Sequence, residues 1–175
     1  MVLWSTKKCK EYSQSINEFE NCHYPSEFKA TVEEFIHWLN SDVFFCNAIV
    51  EDGKILSIIS FLITDLDSYQ RIVSNQITEK EILPFNNSLI PSLYFSSFII
   101  SKDMHAFILT KNIFKEMRNY INNIPLKFNH SFSISATKDG ENFLKKNGYN
   151  YISDYKIKYP IYYLDELHKS ILKYL

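Results

Sequence analysis

Apolar positions follow two spacings along this chain, one typical of helices and one typical of buried strands. Between Ser26 and Asn40, four apolar residues recur three or four positions apart, which places them on one helix face. The pattern predicts a helix over 26–40, and the polar stretch before it, through Phe19, predicts a loosely formed helix. The four residues are Val32, Phe35, Ile36 and Leu39.

Two apolar runs, VFFCNAIV and ILSIISFLIT, come next and are joined by EDGK. An Asp-Gly pair readily adopts the positive φ values of a tight hairpin turn. These segments therefore predict a β-hairpin. The second arm, from Ile55 to Ile63, is apolar on both faces, and this predicts a central strand of a sheet.

The most polar stretch, DLDSYQRIVSNQITEKEILPFNN, predicts one or two short helices with loops. Asp67 or Ser68 has a side chain suited to cap the first helix. Thr78 and Glu81 have the spacing of a capping box, which marks the start of a second. After Pro91, the run SLYFSSFIIS predicts another buried strand.

The longest helical pattern extends from Met104 to Ile124, and Pro125 prevents its continuation. Apolar residues share one face of this predicted helix, whereas polar residues line the other. The apolar face consists of Phe107, Phe114, Met117, Ile121 and Ile124, and the polar face of Lys111, Lys115, Arg118 and Asn122.

The last third of the chain again mixes strands with helices. SFSISA predicts a strand, 139–147 a helix, YNYISDYKIKYPIYYL one or two strands, and DELHKSILKYL a terminal helix. Gly148 suits the left-handed residue that follows a helix, and Gly140 suits close packing at a helix start. This order of elements predicts a single α/β or α+β domain over residues 1–175.

Composition and charge exclude several classes of protein. The formal net charge is −1 and the hydrophobic fraction is 46%, which argues against disorder and against a basic surface for nucleic acid or anionic lipid. The start, MVLWSTKKCKEY, lacks the apolar segment of a signal peptide, and the run LYFSSFII is too short to cross a bilayer. We therefore expect a cytoplasmic protein with no nucleic-acid or membrane partner.

The three cysteines, Cys9, Cys22 and Cys46, have no metal-binding spacing, and their odd number favours a reduced compartment. A thiol mechanism at Cys22 or Cys46 needs a base arranged in space, which neighbours in sequence do not supply. Cys46 lies in an apolar run and is expected to pack as a small hydrophobic residue. No metal site is expected, because no histidines have ligand spacing.

Three segments together resemble the Gcn5-related N-acetyltransferase (GNAT) superfamily. FFCNAIVEDGKILSIISFL resembles its hairpin of second and third strands, and LYFSSFIISKDMHAFILTKNIFKEM resembles its fourth strand, phosphate-binding loop and following helix. SATKDGENFLKKNGY is similar to the fifth strand and short helix, especially in bacterial GNAT-like proteins. The resemblance covers roughly Phe44 to Tyr163. It implies a mixed, mostly antiparallel central sheet whose fourth and fifth strands splay apart, with helices on both faces.

The resemblance also implies acetyl-CoA or another acyl-CoA as cosubstrate. In this family the splayed strands bind the pantetheine arm, and amides at the start of the next helix cradle the pyrophosphate. Carried onto this sequence, the cofactor-binding candidates are Phe98, Ile99, Ile100, Ser101, His105, Ala106, Phe107, Ile108, Leu109, Thr110 and Thr137.

The chain departs from the family where its chemistry is expected. The family's loop reads Gln/Arg-x-x-Gly-x-Gly/Ala, whereas 105–110 contains no glycine and has Ile108 at the first glycine position. Leu144 stands where many members carry a proton-donating Tyr. The strand that often holds a carboxylate base offers Tyr94 and Ser97 as catalytic candidates, and both residue types are also ordinary in a sheet core.

Two functions from different classes follow. The first is an acyl-CoA-dependent N-acyltransferase that acts on a small-molecule or protein amine, with the acceptor site shaped by 17–40 and 67–87. The second is a catalytically degenerate GNAT-fold module that binds or regulates without CoA turnover, which the glycine-free loop and Leu144 favour. The 14 Phe and 12 Tyr leave a homodimer open.

Overall fold

The computed structural model describes residues 1–86, 90–100, 104–127 and 130–165, with the backbone alone for 104–109. The predicted terminal helix after 165 lies outside the described residues. Two 3₁₀ turns, Ser26–Phe28 and Glu79–Glu81, supplement the helices and strands. In chain order these are β1 Val2–Trp4, α1 Thr6–Glu11, α2 Ser13–His23, α3 Val32–Leu39, β2 Phe44–Glu51, β3 Lys54–Asp65, α4 Leu66–Val73, β4 Pro91–Ile100, α5 Met104–Asn123, β5 His130–Ile134, α6 Lys138–Lys146, β6 Asn150–Tyr155 and β7 Tyr159–Asp165.

The strands form one sheet in the order β1-β2-β3-β4-β5-β7-β6. β1 with β2, β5 with β7 and β6 with β7 are antiparallel, whereas β4 and β5 are parallel. Every residue from Phe44 to Val50 of β2 is buried, because helices α1, α3 and α5 pack against this strand. The predicted mixed, mostly antiparallel sheet with flanking helices is confirmed.

The hairpin of β2 and β3 turns at Asp52 and Gly53, whose φ angles are 48° and 78°. Both residues thus adopt the positive φ that the Asp-Gly pair predicted. Phe45 on β2 stacks on Phe61 of β3 with ring centroids 4.9 Å apart. β3 is the third of the sheet's strands and is buried from Ser57 onward, which confirms the prediction of a central strand.

The start of the chain differs from its predicted loose helix. Val2 to Trp4 form the edge strand β1, which pairs with β2 through Val2↔Val50 and Trp4↔Ala48. Two helices then follow in place of one. A strand this short carries no alternating pattern of its own, and its place is set by pairing with β2.

Helix α3 begins at Val32, later than the predicted start at Ser26. Thr31 and Glu34 form a capping box: the Glu34 amide donates to Thr31 Oγ1 at 3.2 Å, and the Thr31 amide donates to Glu34 Oε2 at 2.7 Å. This reciprocal pair satisfies amides that have no partner within the helix, and it therefore sets the start. The predicted buried residues Phe35 and Leu39 do lie in the core.

The cap of α4 is Asp65, and the prediction of Asp67 or Ser68 is wrong. The Ser68 amide donates to Asp65 Oδ1 at 2.6 Å. Ser68 therefore lies within the first turn of the helix and donates to the cap. The predicted capping box of Thr78 and Glu81 is confirmed, with the Thr78 amide donating to Glu81 Oε2 at 2.8 Å. It begins a single 3₁₀ turn.

Helix α5 follows its predicted bounds closely, but its buried stripe is rotated from the predicted one. Ile113, Met117 and Ile121 are buried. Phe114, predicted on the apolar face, is half-buried and packs against Phe98 with ring centroids 5.6 Å apart. The predicted member Phe107 has no described side chain.

The chain divides into two compact units. The first contains Met1–Phe61 and Ser97–Pro125, and its core includes Ile16, Ile49 and Ile59. The second contains Leu62–Ser96 and the described residues from Leu126 to Asp165, and Phe132, Tyr162 and Leu164 belong to its core. Among the described helices, none has the length and apolar character that a membrane crossing requires.

Candidate functional site

The parallel pairing of β4 with β5 runs through Leu93↔Ser131 and Tyr94↔Phe132. The Ser133 hydroxyl then donates to the Phe95 carbonyl oxygen at 2.9 Å, so a side chain takes over where the strand register ends. β4 itself continues from Phe95 to Ile100. β4 and β5 therefore stop pairing before β4 ends, as the predicted splay of the fourth and fifth strands requires.

Tyr94 lies in the core of the second unit with 1% of its surface exposed. Its hydroxyl donates a hydrogen bond to Glu79 Oε1, and its ring lies 5.0 Å from that of Phe132. Glu79 opens the 3₁₀ turn that follows the Thr78 capping box. The predicted catalytic tyrosine is thus oriented by a carboxylate that sequence reasoning did not connect with it.

Ser97 is buried on β4 in the first unit, and it is hydrogen-bonded to the side chain of Glu20 from α2. Burial raises the pKa of the Glu20 carboxyl to about 7, and the Ser97 hydrogen bond partly opposes this shift. Glu20 Oε1 has no hydrogen-bond partner among the described residues. The carboxyl group of Glu20, which belongs to helix α2, therefore lies beside β4.

The next residue of β4 is also reached from α2. The backbone amide of Phe98 donates to the Tyr24 hydroxyl at 3.3 Å. Tyr24 is the C-terminal cap of α2 and lies one helical turn beyond Glu20. One face of α2 thus supplies a carboxyl to Ser97 and a hydroxyl to Phe98.

A pair of cysteines lies close to the Glu20 carboxyl. The hydrogen bond that the Cys46 thiol donates to Cys9, together with burial, raises the pKa of the Cys46 thiol well above its usual range, and the charge of Glu20 acts in the same direction. Cys9 and Cys46 are both fully buried and free. A neutral buried thiol is a poor nucleophile, so the prediction that Cys46 packs as a small hydrophobic residue agrees with its environment.

The remaining binding candidates lie in three places. Ile99 is buried and Ile100 half-buried at the end of β4, and Ser101 lies outside the described residues. The backbone of 104–109 forms the first turns of α5, and Thr110 is buried there. Thr137 is the N-cap of α6 in the second unit, where its Oγ1 accepts from the Gly140 amide at 3.1 Å.

Glu20, Tyr24 and Glu79 were missed by sequence reasoning. The sequence does carry a signal for Glu20. It follows Ile16 by four residues, so it lies on the buried face of α2. An acidic residue in an apolar stripe indicates either a partner or a function. Tyr24 and Glu79 lie at helix and turn ends, where the sequence carries no such signal.

No protein-family model and no curated protein matches the sequence. Solved structures do match it in fold. The GphF GNAT-like decarboxylase in complex with isobutyryl-CoA has a TM-score of 0.63 at 9% identity, covering 94% of this chain and 99% of that one. The loading GNATL domain of CurA from Lyngbya majuscula has a TM-score of 0.61 at 11% identity, covering 96% and 98%.

An aminoglycoside 6'-acetyltransferase type Ii has a TM-score of 0.54 at 11% identity, covering 95% of this chain and 98% of that one. At such identities the likeness is one of fold. The protein has the GNAT-like fold, which confirms the fold that three short segments of the sequence predicted. A fold hosts many activities, so function has to be argued from the site.

Proposed function

We propose that the protein is an acyl-CoA-dependent N-acyltransferase that transfers an acyl group, such as the acetyl group of acetyl-CoA, to the amine of a small molecule or protein. The observation that carries this proposal is the short β4–β5 pairing, which ends at Tyr94↔Phe132 while β4 continues to Ile100. Similar folds include a structure in complex with isobutyryl-CoA and an aminoglycoside acetyltransferase.

In this proposal the backbone from Phe98 to Ser101 binds the pantetheine arm. The pyrophosphate is bound at the start of α5, where the amides of residues 105–110 point along a helix that runs to Asn123. The Tyr24 hydroxyl beside the Phe98 amide adds a polar group where the thioester carbonyl is expected. In this proposal His105 or Lys111 supplies positive charge to the phosphate site.

The alternative is a GNAT-fold module that binds or regulates without turnover. Leu144 favours it, because this residue is buried in α6 at the position of the family's proton-donating Tyr and has no proton to give. Ile108 favours it as well, since a branched side chain crowds a diphosphate where the family has glycine. The two proposals differ in whether acyl-CoA binds and reacts.

Thermal unfolding and calorimetry with acetyl-CoA and longer acyl-CoAs test the proposal. A ligand that binds the folded state alone raises the melting temperature, and at about 100 times its Kd it stabilises the protein by roughly 2.7 kcal/mol. Ile108→Gly is expected to strengthen binding, because it removes the side chain that crowds the phosphates. ADP, which lacks the pantetheine arm, is the matched control ligand.

If no acyl-CoA stabilises the protein, the proposed acyltransferase is contradicted and the GNAT-fold module without turnover remains. Stabilisation that Ile108→Gly leaves unchanged or weakens would show that the phosphate site lies elsewhere. If ADP stabilises the protein as strongly as acetyl-CoA does, the pantetheine arm does not contribute to binding. The end of β4 would then not be its binding site.

A further inference from the structure

Glu20 is a buried carboxyl group that the fold does not explain. Glu20 is 8% exposed, and its Oε1 has no hydrogen-bond partner among the described residues. Burying an ionisable group without a full set of partners is costly, so such a group is a candidate for a functional role. Glutamine or an apolar residue would serve packing better at this position.

Side chains from β4 and β2 lie beside the Glu20 carboxyl. On β4 it meets the Ser97 hydroxyl, and on β2 it acts on the Cys46 thiol, which is hydrogen-bonded to Cys9 of α1. The Ser97 hydroxyl carries no charge, and the raised pKa of the Cys46 thiol keeps it neutral near neutral pH. Neither group is a cation that could balance a carboxylate, and Oε1 is buried with no hydrogen-bond partner among the described residues.

The position of Glu20 agrees with the reaction proposed above. Glu20 lies on α2 and Tyr24 caps the C-terminus of this helix four residues later. The two side chains reach Ser97 and the amide of Phe98, which are consecutive residues of β4. Phe98 is also the first residue assigned to the pantetheine arm. The unpartnered carboxyl oxygen thus lies beside the stretch of β4 where the thioester is expected.

We propose that Glu20 binds the acceptor as a primary ammonium ion and accepts its proton, so that α2 supplies the base that β4 itself lacks. The inference rests on the proposed acyl transfer and narrows its acceptor to amines that are protonated at neutral pH. The Ser97 hydroxyl holds the carboxylate in place as a positioning residue.

The step balances without another reactant. The ammonium ion gives one proton to the Glu20 carboxylate, and the neutral nitrogen then attacks the thioester carbonyl. The C–N bond forms, the C–S bond breaks, and the electron pair of the C–S bond leaves on the CoA sulfur. The second proton on nitrogen neutralises the thiolate, and Glu20 releases its proton to solvent, which restores the carboxylate.

The test compares two nucleophiles with acetyl-CoA. n-Propylamine is protonated at neutral pH and needs a base, whereas hydroxylamine is already largely neutral there and does not. Glu20→Gln is expected to lower kcat/KM for n-propylamine by roughly 100-fold or more, with little change for hydroxylamine. Glu18→Gln is the matched control, since Glu18 lies on the same helix, is exposed and accepts a hydrogen bond from the exposed Gln14.

The pH profile distinguishes proton transfer from packing. In the wild type the n-propylamine rate should rise with pH through about 7, where Glu20 ionises, and Glu20→Gln should abolish this rise. Ser97→Ala should move the rise to higher pH, because the lost hydrogen bond favoured the ionised carboxyl. Two results would overturn the inference: an equal loss of kcat/KM for both nucleophiles in Glu20→Gln, or a pH profile of Glu20→Gln that matches that of the wild type.

A direct titration separates this inference from the proposed function. The ¹³C carboxyl resonance of Glu20, assigned by its loss in Glu20→Gln, is followed with and without n-propylammonium in protein saturated with acetyl-CoA and in protein alone. A shift of its titration on adding the amine supports the site even if no acyl transfer occurs, and that result would count against the proposed enzyme alone. No shift in either sample would overturn the inference.

Discussion

Glu20 shows how one buried side chain sets the pH response of this protein. The pKa of its carboxyl is about 7 in the folded state, against an ordinary value of 4.5, because burial disfavours the charge. The folded protein therefore keeps a proton that the unfolded chain has released between these two values. The free energy of unfolding is expected to fall as pH rises through this window.

Glu20→Gln should remove this fall, since glutamine does not titrate. On the alkaline side of the window the variant is expected to be more stable than the wild type, by up to about 3 kcal/mol. Urea unfolding at a series of pH values measures the difference, with Glu18→Gln as the exposed control. Parallel curves for the wild type and Glu20→Gln would show that Glu20 keeps an ordinary pKa in the fold.

Helix starts show where local sequence patterns succeed and where they fail. Thr78 with Glu81 forms the predicted capping box, whereas the predicted caps Asp67 and Ser68 give way to Asp65. The local pattern does not mark Asp65 as a cap, because Asp65 is also the last residue of β3. The choice among three nearby capping residues depends on where the strand ends, which the sheet decides.

The cap assignment predicts a clear difference between two aspartates. Asp65→Ala is expected to lower the free energy of unfolding by about 1 kcal/mol, because the Ser68 amide loses its acceptor. Asp67→Ala, two residues away, removes an exposed ion pair with Arg71 at 4.0 Å and should cost less than half of that. Urea unfolding of both variants measures this, and equal losses would refute Asp65 as the cap.

At the scale of the whole molecule, the second unit depends on aromatic packing around Phe132. This residue is fully buried on β5, and its ring centroid lies 5.3 Å from Tyr69 and 5.0 Å from Tyr94. The apolar run SFSISA predicted the strand, but neither tyrosine adjoins it in sequence. The cluster forms because α4 and β4 both meet β5 in the fold.

Phe132→Ala is expected to lower the free energy of unfolding by about 3–5 kcal/mol, because it leaves a cavity lined by rigid rings. Tyr151→Ala on the edge strand β6 is the control, since that side chain is 54% exposed and should cost under about 1 kcal/mol. Denaturant unfolding compares the two. A small loss for Phe132→Ala would mean that the ring cluster contributes little to stability.

The sequence by itself determined the features that depend on neighbouring residues. The turn at Asp52-Gly53, the capping box at Thr78 and the helix end at Gly148, whose φ is 83°, each follow from conformational preferences within a few positions. The resemblance of three longer segments to one superfamily was enough to predict the fold. It was not enough to find the candidate base.

Only the tertiary structure placed Glu20 beside Ser97 and the Tyr24 hydroxyl at the Phe98 amide. The ionisation of a carboxyl group depends on how much water surrounds it and which groups face it, and both depend on residues distant in sequence. The chain carries no carboxylate on β4, and a helix that precedes it by many residues brings one there. That juxtaposition is a property of the packed chain, because no local pattern encodes it.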